Sequence, residues 1–267
     1  MDAAALLAHY DTELRGETEV ADADEITRIG PLWLGTFVQR HRGFVSYPPL
    51  PHPDEADALI AAAIAHYEAD ARIDHFEWKT RGHDEPADLL DRLEAQGFSL
   101  GENETVMCGD VTAVITAADP IATGYRIERV TDEAGMRAAE ALAGRVFDDD
   151  EGSEGLADEL VARFFAEPDA FSMWVVRAPS GEVVCSGRVE FIPGTEFAGL
   201  FGGACDAAHR GRGLYRALAA ARAREAAERG KRFLQVDCTE YSRPILERAG
   251  LVPITTTVPA VWRRGSA

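Results

Sequence analysis

Hydrophobic and polar residues recur along this chain with two periods, one typical of helices and the other of strands. In residues 55–71 the apolar positions share one face, which predicts a helix packed against a core. Short apolar or alternating runs predict strands, and the acidic segments 17–29 and 148–154 are expected to be irregular. The predicted helices are 2–14, 55–71, 86–96, 131–147 (with Thr131 as its cap), 156–166 and 214–229, and the predicted strands are 32–38, 43–47, 74–78, 104–115, 125–130, 171–177, 183–191, 197–205, 233–237 and 252–258.

The order of these elements repeats within the chain. In each half an Ala-rich helix leads to a strand, a loop with a proline, a short helix that ends at glycine, and a Thr/Val-rich strand. The matching helix ends are Leu93–Phe98 and Leu246–Leu251. Such self-similarity indicates an internal duplication, and the alternative is the element order common to many α/β proteins. The predicted halves are 1–115 and 125–267, joined by the linker 116–124.

The net charge of the chain limits which partners it is expected to bind. The 267 residues carry 46 acidic and 27 basic side chains, a net charge of −19. A field of that sign disfavours nucleic acids and anionic membranes, so neither is an expected partner. The acidity serves solubility or steers cations toward a site, and the sequence leaves both open.

Cysteine and histidine usage narrows the class of protein further. The cysteines Cys108, Cys185, Cys205 and Cys238 are far apart and lie in or beside apolar runs, which favours buried thiols in a reducing cytoplasm. The histidines show no ligand spacing, so no metal is expected. The first residues lack the basic start of a signal peptide, and we expect a cytoplasmic protein.

One basic turn stands out against the acidic background. Arg210-Gly211-Arg212-Gly213 joins a predicted strand to an Ala-rich helix. The first N–H groups of a helix have no intrahelical acceptors, and the helix dipole places partial positive charge there. Glycine allows close approach of a ligand, so the turn predicts a phosphate or pyrophosphate site. The alternative is a strand-to-helix turn with solvated arginines; the absence of a following Lys-Ser or Lys-Thr excludes a Walker A loop.

The turn resembles the acetyl-CoA pyrophosphate loop of the GCN5-related N-acetyltransferase (GNAT) family, Arg/Gln-x-x-Gly-x-Gly/Ala. Arg210 and Gly213 match the pattern, whereas Tyr215 stands where the family has glycine or alanine. Residues 246–251 are similar to the family's Tyr-Glu-Lys-x-Gly-Phe helix end, with Leu246 in place of the tyrosine. The resemblance covers about residues 125–263.

This resemblance implies a mixed α+β GNAT fold, in tandem, with a central, mostly antiparallel sheet flanked by helices. The catalytic copy would be 125–267. The first half would be a degenerate copy, because the proline-rich run 48–53 replaces its basic turn and supplies few N–H donors.

The resemblance also implies where acetyl-CoA, the expected cosubstrate, would lie. Its pantetheine would pair with the first of two splayed parallel strands and its pyrophosphate would lie on the basic turn. Glycines in the strand suit a bulge beside a ligand, or alternatively tight strand–helix packing. The implied cosubstrate-binding residues are Gly203, Ala204, Cys205, Arg210, Gly211, Arg212, Gly213, Leu214 and Tyr215.

Catalysis requires a group that accepts the proton of the attacking amine. Glu196 is the first candidate because it opens the strand that leads into the site; alternatively it is a solvated turn residue. Asp237, at the end of the partner strand, would order water or bind an amine, or would cap the next helix. Tyr241 would replace the family's tyrosine as the acid, or it is an ordinary surface or core residue. The thiol of CoA has a pKa like that of free cysteine, ~8.5, so the thiolate also leaves without a dedicated acid.

The implied activity is transfer of an acetyl group from acetyl-CoA to a primary amine of a small molecule or of a protein or peptide terminus. The alternative is an acyl-CoA-binding sensor or structural module without turnover. Tyr215 and Leu246, the departures from the family pattern, favour that alternative.

Overall fold

The computed structural model describes residues 1–118, 120–147 and 150–265, the side chains of 150–156 excepted. In the first part of the chain the elements are α1 (Ala3–Glu13), β1 (Glu25–Ile29), β2 (Leu32–Phe37), β3 (Arg42–Ser46), α2 (Ala56–Ala69), β4 (His75–Lys79), α3 (Leu89–Ala95), β5 (Ser99–Leu100), β6 (Glu104–Asp110) and α4 (Val111–Thr116). They are followed by β7 (Arg126–Arg129), α5 (Glu133–Phe147), α6 (Asp150–Ala166), β8 (Phe171–Arg177), β9 (Val183–Phe191), β10 (Phe197–Cys205), α7 (Leu214–Glu228), β11 (Phe233–Cys238), α8 (Arg243–Arg248), β12 (Val252–Thr257) and β13 (Pro259–Arg263). Among the residues that the structure describes, no helix is long and apolar enough to span a bilayer.

The chain forms two compact units. The N-terminal unit comprises Asp2–Val106, Asp237–Glu240 and the residues from Pro253 on. The C-terminal unit comprises Met107–Val236 and Tyr241–Val252. Separate domains at 1–115 and 125–267 stay a prediction, because compactness alone does not show which segments fold independently.

The N-terminal unit is built on a six-stranded mixed sheet in the order β1-β2-β3-β4-β13-β5. Strands β3 and β4 are parallel, whereas β1–β2, β2–β3, β4–β13 and β13–β5 are antiparallel. Apolar residues of these strands pack with α2 and α3 in one core, which includes the fully buried Phe76, Trp78 and Ile60. The apolar face predicted for this helix therefore packs into the core as expected.

The C-terminal unit contains β10, β9, β8 and β7 of a seven-stranded sheet whose order is β12-β6-β11-β10-β9-β8-β7. Val175 belongs to a cluster with apolar residues of α5 and α6, and Val176 to a cluster with Leu214 and Leu218 of α7. Because neighbouring strand residues point to opposite faces, α5 and α6 cover one face of this sheet and α7 covers the other.

The two units repeat one arrangement. In each, two antiparallel strands are followed by a long helix and a strand that pairs in parallel with the second of them: β2-β3-α2-β4 and β9-β10-α7-β11. The predicted mixed α+β fold in tandem is confirmed. There are two mixed sheets where the resemblance implied one central sheet.

The structure corrects several sequence expectations in the first half. Residues 17–29 are not irregular throughout, since they include a short 3₁₀ helix, Gly16–Val20, and the edge strand β1. The strand predicted over 104–115 ends at Asp110. There the Asp110 carboxylate accepts the N–H of Thr112 at 2.8 Å and caps α4.

Other corrections fall in the second half. Asp132, not Thr131, accepts the N–H of Gly135 at 2.8 Å near the start of α5. Helix α6 begins at Asp150, so most of the expected acidic loop is helical, and its residues 148 and 149 lie outside the described ones. The C-terminal strand β13 was not expected at all.

Candidate functional site

The proposed pantetheine strand, β10, pairs with β11 only at its start. The parallel register runs from Phe197 opposite Phe233 to Gly199 opposite Gln235 and ends there. Between Phe201 and Ala204 the register with β9 on the other side also shifts, which marks a β-bulge. Gly202 sits in this bulge with φ of +58°. The later part of β10 therefore presents main-chain groups on an edge that β11 does not occupy.

The basic turn follows directly. Asp206 accepts the N–H of Ala208 at 2.8 Å and starts a short 3₁₀ helix, Ala207–His209. Gly213 is the N-cap of α7 and provides no side-chain cap, and the first intrahelical bond runs from Ala217 N to Gly213 O at 3.0 Å. The first turn of α7 thus offers its N–H groups outward with the positive end of the helix dipole.

The glycines of the turn have the backbone that the turn requires. Gly211 and Gly213 have φ of +75° and +73°, a left-handed conformation that disfavours residues with a Cβ. A Cβ at either position would meet no atom within 4 Å, so the space above them is open. The geometry fits a ligand that approaches the main chain closely.

The arginines keep the turn basic. The Arg210 Nε donates to the carbonyl of Cys205 at 3.1 Å, which folds its side chain back over the end of β10. The Arg212 guanidinium carbon lies 6.0 Å from the centre of the Tyr125 ring, and the hydroxyl of Tyr125 is 2.9 Å from His209 Nδ1. Both arginines are exposed, so their charge is available to an anion on the turn.

Tyr215, which departs from the family pattern, lies against β10. A Cβ on Gly203 would be 2.3 Å from the Tyr215 hydroxyl oxygen. Glycine at 203 therefore makes room for the tyrosine, and its ring occupies the interface of strand and helix. Gly203 thus serves the strand–helix packing that the sequence left as the alternative.

Glu196 lies just before β10, with its side chain 47% exposed and 3.9 Å from Arg232. Its main-chain carbonyl accepts the N–H groups of Arg232 and Phe233 at 2.8 and 3.0 Å, which joins the starts of β10 and β11. Its position at the entry of the strand agrees with the expectation, and its role as a base stays a prediction.

Asp237 belongs to the N-terminal unit and forms an ion pair there. The Lys79 Nζ donates to its Oδ2 at 2.5 Å, and the Lys79 side chain is 10% exposed. Burial alone would lower the pKa of Lys79, but the charges of Asp237, Glu19 and Tyr10 together outweigh burial and raise it. Burial, followed by the charge of Asp237, raises the pKa of Glu104. Asp237 thus has the ammonium group of Lys79 as a partner within the unit, and its expected role of ordering water or binding an amine stays a prediction.

Tyr241 belongs to the C-terminal unit and precedes α8 with 80% of its surface exposed. Leu246, in the place of the family's tyrosine, is buried and 1% exposed. Glu196 and Tyr241 thus belong to the C-terminal unit and Asp237 to the N-terminal unit, and their catalytic roles stay predictions.

In the N-terminal unit, residues from another segment make hydrogen bonds at the end of β3. The end of β3 is contacted by Arg15, whose Nε donates to the carbonyl of Tyr47 at 3.0 Å, and by Gly16, whose N–H donates to Ser46 Oγ at 2.9 Å. Arg15 is also paired with the buried Asp84. The main-chain carbonyl of Tyr47 and the side-chain hydroxyl of Ser46 thus already have hydrogen-bond partners within the unit.

These buried polar contacts were not predicted from the sequence. Arg15, Lys79, Arg81 and Asp84 are buried, although such residues are rarely buried unless paired. Apart from the pair of Arg15 with Asp11, the partners in their close ion pairs lie far away in the sequence, so no local spacing would have revealed them.

No protein-family model matches this chain, and no curated protein does either. Among solved structures, a GCN5-related N-acetyltransferase from Kribbella flavida matches with a TM-score of 0.72 and 18% identity over 98% of this chain and 96% of that one. A tandem GNAT protein from the clavulanic acid biosynthesis pathway, solved without AcCoA, matches with a TM-score of 0.63 and 14% identity over 90% and 82%. A GCN5-related N-acetyltransferase from Sphaerobacter thermophilus matches with a TM-score of 0.62 and 12% identity. The match covers 87% of this chain and 76% of that one.

These likenesses cover nearly the whole chain at low sequence identity. They establish that the chain has the GNAT fold, and the resemblance seen at the basic turn is confirmed at that level.

Proposed function

We propose that this protein is an acyltransferase of the GNAT type that moves an acetyl group from acetyl-CoA to a primary amine of a small molecule or of a peptide terminus. One observation carries the proposal: the parallel pairing of β10 and β11 ends at Gly199, and β10 then leads into an open, basic glycine turn at the start of α7.

The residues of the C-terminal unit fit acetyl-CoA. The turn offers helix N–H groups, the left-handed Gly211 and Gly213, and the charges of Arg210 and Arg212 to a pyrophosphate. The bulged end of β10, at Gly203, Ala204 and Cys205, supports main-chain pairing with pantetheine. Glu196 at the strand entry is the proposed proton acceptor, and the attacking amine would be positioned by the protein.

We also propose that the N-terminal unit binds no CoA. The loop after β3 leads into a short 3₁₀ helix, Pro53–Glu55, with Asp54 and Glu55 in its first turn. Negative side chains at a helix start oppose a phosphate there. The contacts of Arg15 and Gly16 with the end of β3 support the same conclusion.

Replacing Arg210 or Arg212 by alanine is expected to weaken CoA binding about tenfold in each case, since each loses a charge-assisted contact at an exposed site. Isothermal titration with CoA measures the change. Arg224→Ala, near the other end of α7, is the control and should bind CoA as the wild type does. Equal CoA affinities for the wild type and all three variants would contradict the proposal that the pyrophosphate binds at this turn.

Titration of the full chain with acetyl-CoA is expected to give one site per chain, because only the C-terminal unit offers the basic turn. A stoichiometry of two would contradict the proposal that the N-terminal unit is degenerate. A dissociation constant of about 1 mM corresponds to a binding free energy of roughly −4 kcal/mol. If acetyl-CoA does not bind even at that concentration, the acyltransferase proposal itself is contradicted.

An acyl-CoA-binding sensor without turnover is the second candidate, and the burial of Leu246 in the tyrosine's place favours it. Release of free CoA thiol in the presence of a panel of primary amines distinguishes the two. An acyltransferase releases thiol with at least one amine, whereas a sensor binds acetyl-CoA tightly and releases none across the panel.

A further inference from the structure

Two cysteines face each other at the end of β10. Cys205 is the last residue of β10 and lies directly opposite Cys185 of β9. Both belong to the cluster between the sheet and α7 that contains Leu214 and Leu218. Cys185 is fully buried and Cys205 is half-buried, and both are free thiols.

Their register suits a disulfide. The N–H of Asp206 donates to the carbonyl of Val184 at 2.9 Å, so the neighbouring pair Cys185–Cys205 occupies a non-hydrogen-bonded position of the antiparallel ladder. At such positions the Cα atoms are about 4.5 Å apart and the side chains are close. This separation lies within the roughly 4.4–6.8 Å that a disulfide spans.

The surroundings of the pair are cationic. Arg222 of α7 is 1% exposed, and its Nη2 has no hydrogen-bond partner. A Cβ on Gly187, two residues from Cys185 on the same strand, would be 2.7 Å from Arg222 Nη1, so this guanidinium lies against that face of β9. On the other side Arg210 is bonded to the Cys205 carbonyl.

The neighbouring Cys185 thiol favours the thiolate form of Cys205. A hydrogen bond from the Cys185 thiol lowers the pKa of Cys205; burial and Asp206 act against this, and Arg210 adds to it. The same hydrogen bond raises the pKa of Cys185, with burial as the second cause. A half-buried thiol with a lowered pKa, directly opposite a buried thiol, suits an attacking and a resolving cysteine.

We propose that Cys185 and Cys205 form a redox-active dithiol, which a peroxide oxidises to a reversible cross-strand disulfide at the base of the basic turn. The Cys205 thiolate attacks the O–O bond of hydrogen peroxide, becomes a sulfenic acid and releases hydroxide, which takes up a proton to give water. The Cys185 sulfur then attacks the sulfenic sulfur, loses its proton and releases a second water. The two thiols lose two electrons, and the peroxide gains them.

The dithiol is coupled to the cosubstrate site, a step that rests on the proposed function. A pyrophosphate on the turn places negative charge beside Arg210 and weakens its support of the Cys205 thiolate. Oxidation is therefore expected to be about threefold slower with CoA bound, since the thiolate is the species that reacts.

The experiment uses the full chain with Cys108→Ser and Cys238→Ser, which leaves only the proposed pair. After treatment with hydrogen peroxide we expect both thiols to be lost, the intact mass to fall by two hydrogens, and dithiothreitol to restore both. Peptide mapping of the oxidised wild type should show residues 185 and 205 linked, a readout that needs no variant. Thiols retained under excess peroxide, or Cys205 oxidised to a sulfinic acid beside an intact Cys185 thiol, would overturn the proposal.

Matched variants separate the two claims. Cys185→Ala should prevent the disulfide and leave Cys205 to oxidise further, whereas Arg224→Ala should change nothing. If titration shows CoA binding but the ligand leaves the oxidation rate unchanged, the coupling is wrong. If the disulfide forms and titration shows no CoA binding, the proposed function fails while the dithiol stands.

Discussion

Replacement of Asp84 by alanine is expected to lower the free energy of unfolding by about 3 kcal/mol, because it leaves a buried guanidinium without its main partner. Arg15 and Asp84 side chains are 0% and 1% exposed, and Arg15 donates to both carboxylate oxygens at 2.9 and 2.8 Å. Asp11, which also accepts from Arg15 at 3.0 Å, limits the loss. Urea denaturation followed by tryptophan fluorescence measures it.

Two controls make this test specific to burial. Asp57→Ala removes an ion pair with Arg92 in the same unit, but Asp57 is 62% exposed and the change should be far smaller. The double variant Arg15→Met with Asp84→Leu should be less destabilised than Asp84→Ala, since it leaves no unpaired charge behind. If Asp84→Ala is no worse than Asp57→Ala, the buried pair does not stabilise the unit.

The replacement of Gly213 by valine is expected to reduce CoA affinity by more than tenfold, the largest loss of any single change at the turn. Gly213 has φ of +73° and caps α7. A β-branched residue is strained in this conformation, and its side chain would enter the open space that the pyrophosphate is proposed to fill. Isothermal titration with CoA measures the affinity.

The other end of the same helix provides the matched control. Gly230 follows α7 with φ of +77°, and a Cβ there would also meet nothing within 4 Å. Gly230→Val should therefore lose comparable stability, about 1–2 kcal/mol, while CoA affinity is kept. Normal CoA binding by Gly213→Val would show that the pyrophosphate does not bind at the basic turn.

Local chemistry made part of the site predictable. The left-handed glycines, the uncapped start of α7 and the strand before it follow from neighbouring residues, so their signals are contiguous in the sequence. The long helices and most strands were predictable for the same reason. Boundaries such as Asp110, where a side-chain cap ends a strand and starts a helix, were not, because either structure fits Val111–Thr116 by composition.

The candidate catalytic residues show the limit of that reasoning. Asp237 was selected as the last polar residue of a strand, which the sequence reveals. Its ion pair with Lys79 joins residues 158 positions apart, and no local pattern encodes that. Tyr241 was selected for its nearness in sequence to a missing tyrosine, and only the structure shows that it is exposed.

The sequence by itself determined the long helices, most of the strands, their repeated order, and a basic turn shaped to hold an anion. Each element depends on residues within one or two turns of one another. Tertiary structure alone decided which distant segments meet. It paired β13 with β4, placed Arg15 against Asp84 across 69 positions, and set Cys185 opposite Cys205. These contacts depend on strand register and on burial, which are settled only when non-local segments pack together and exclude water.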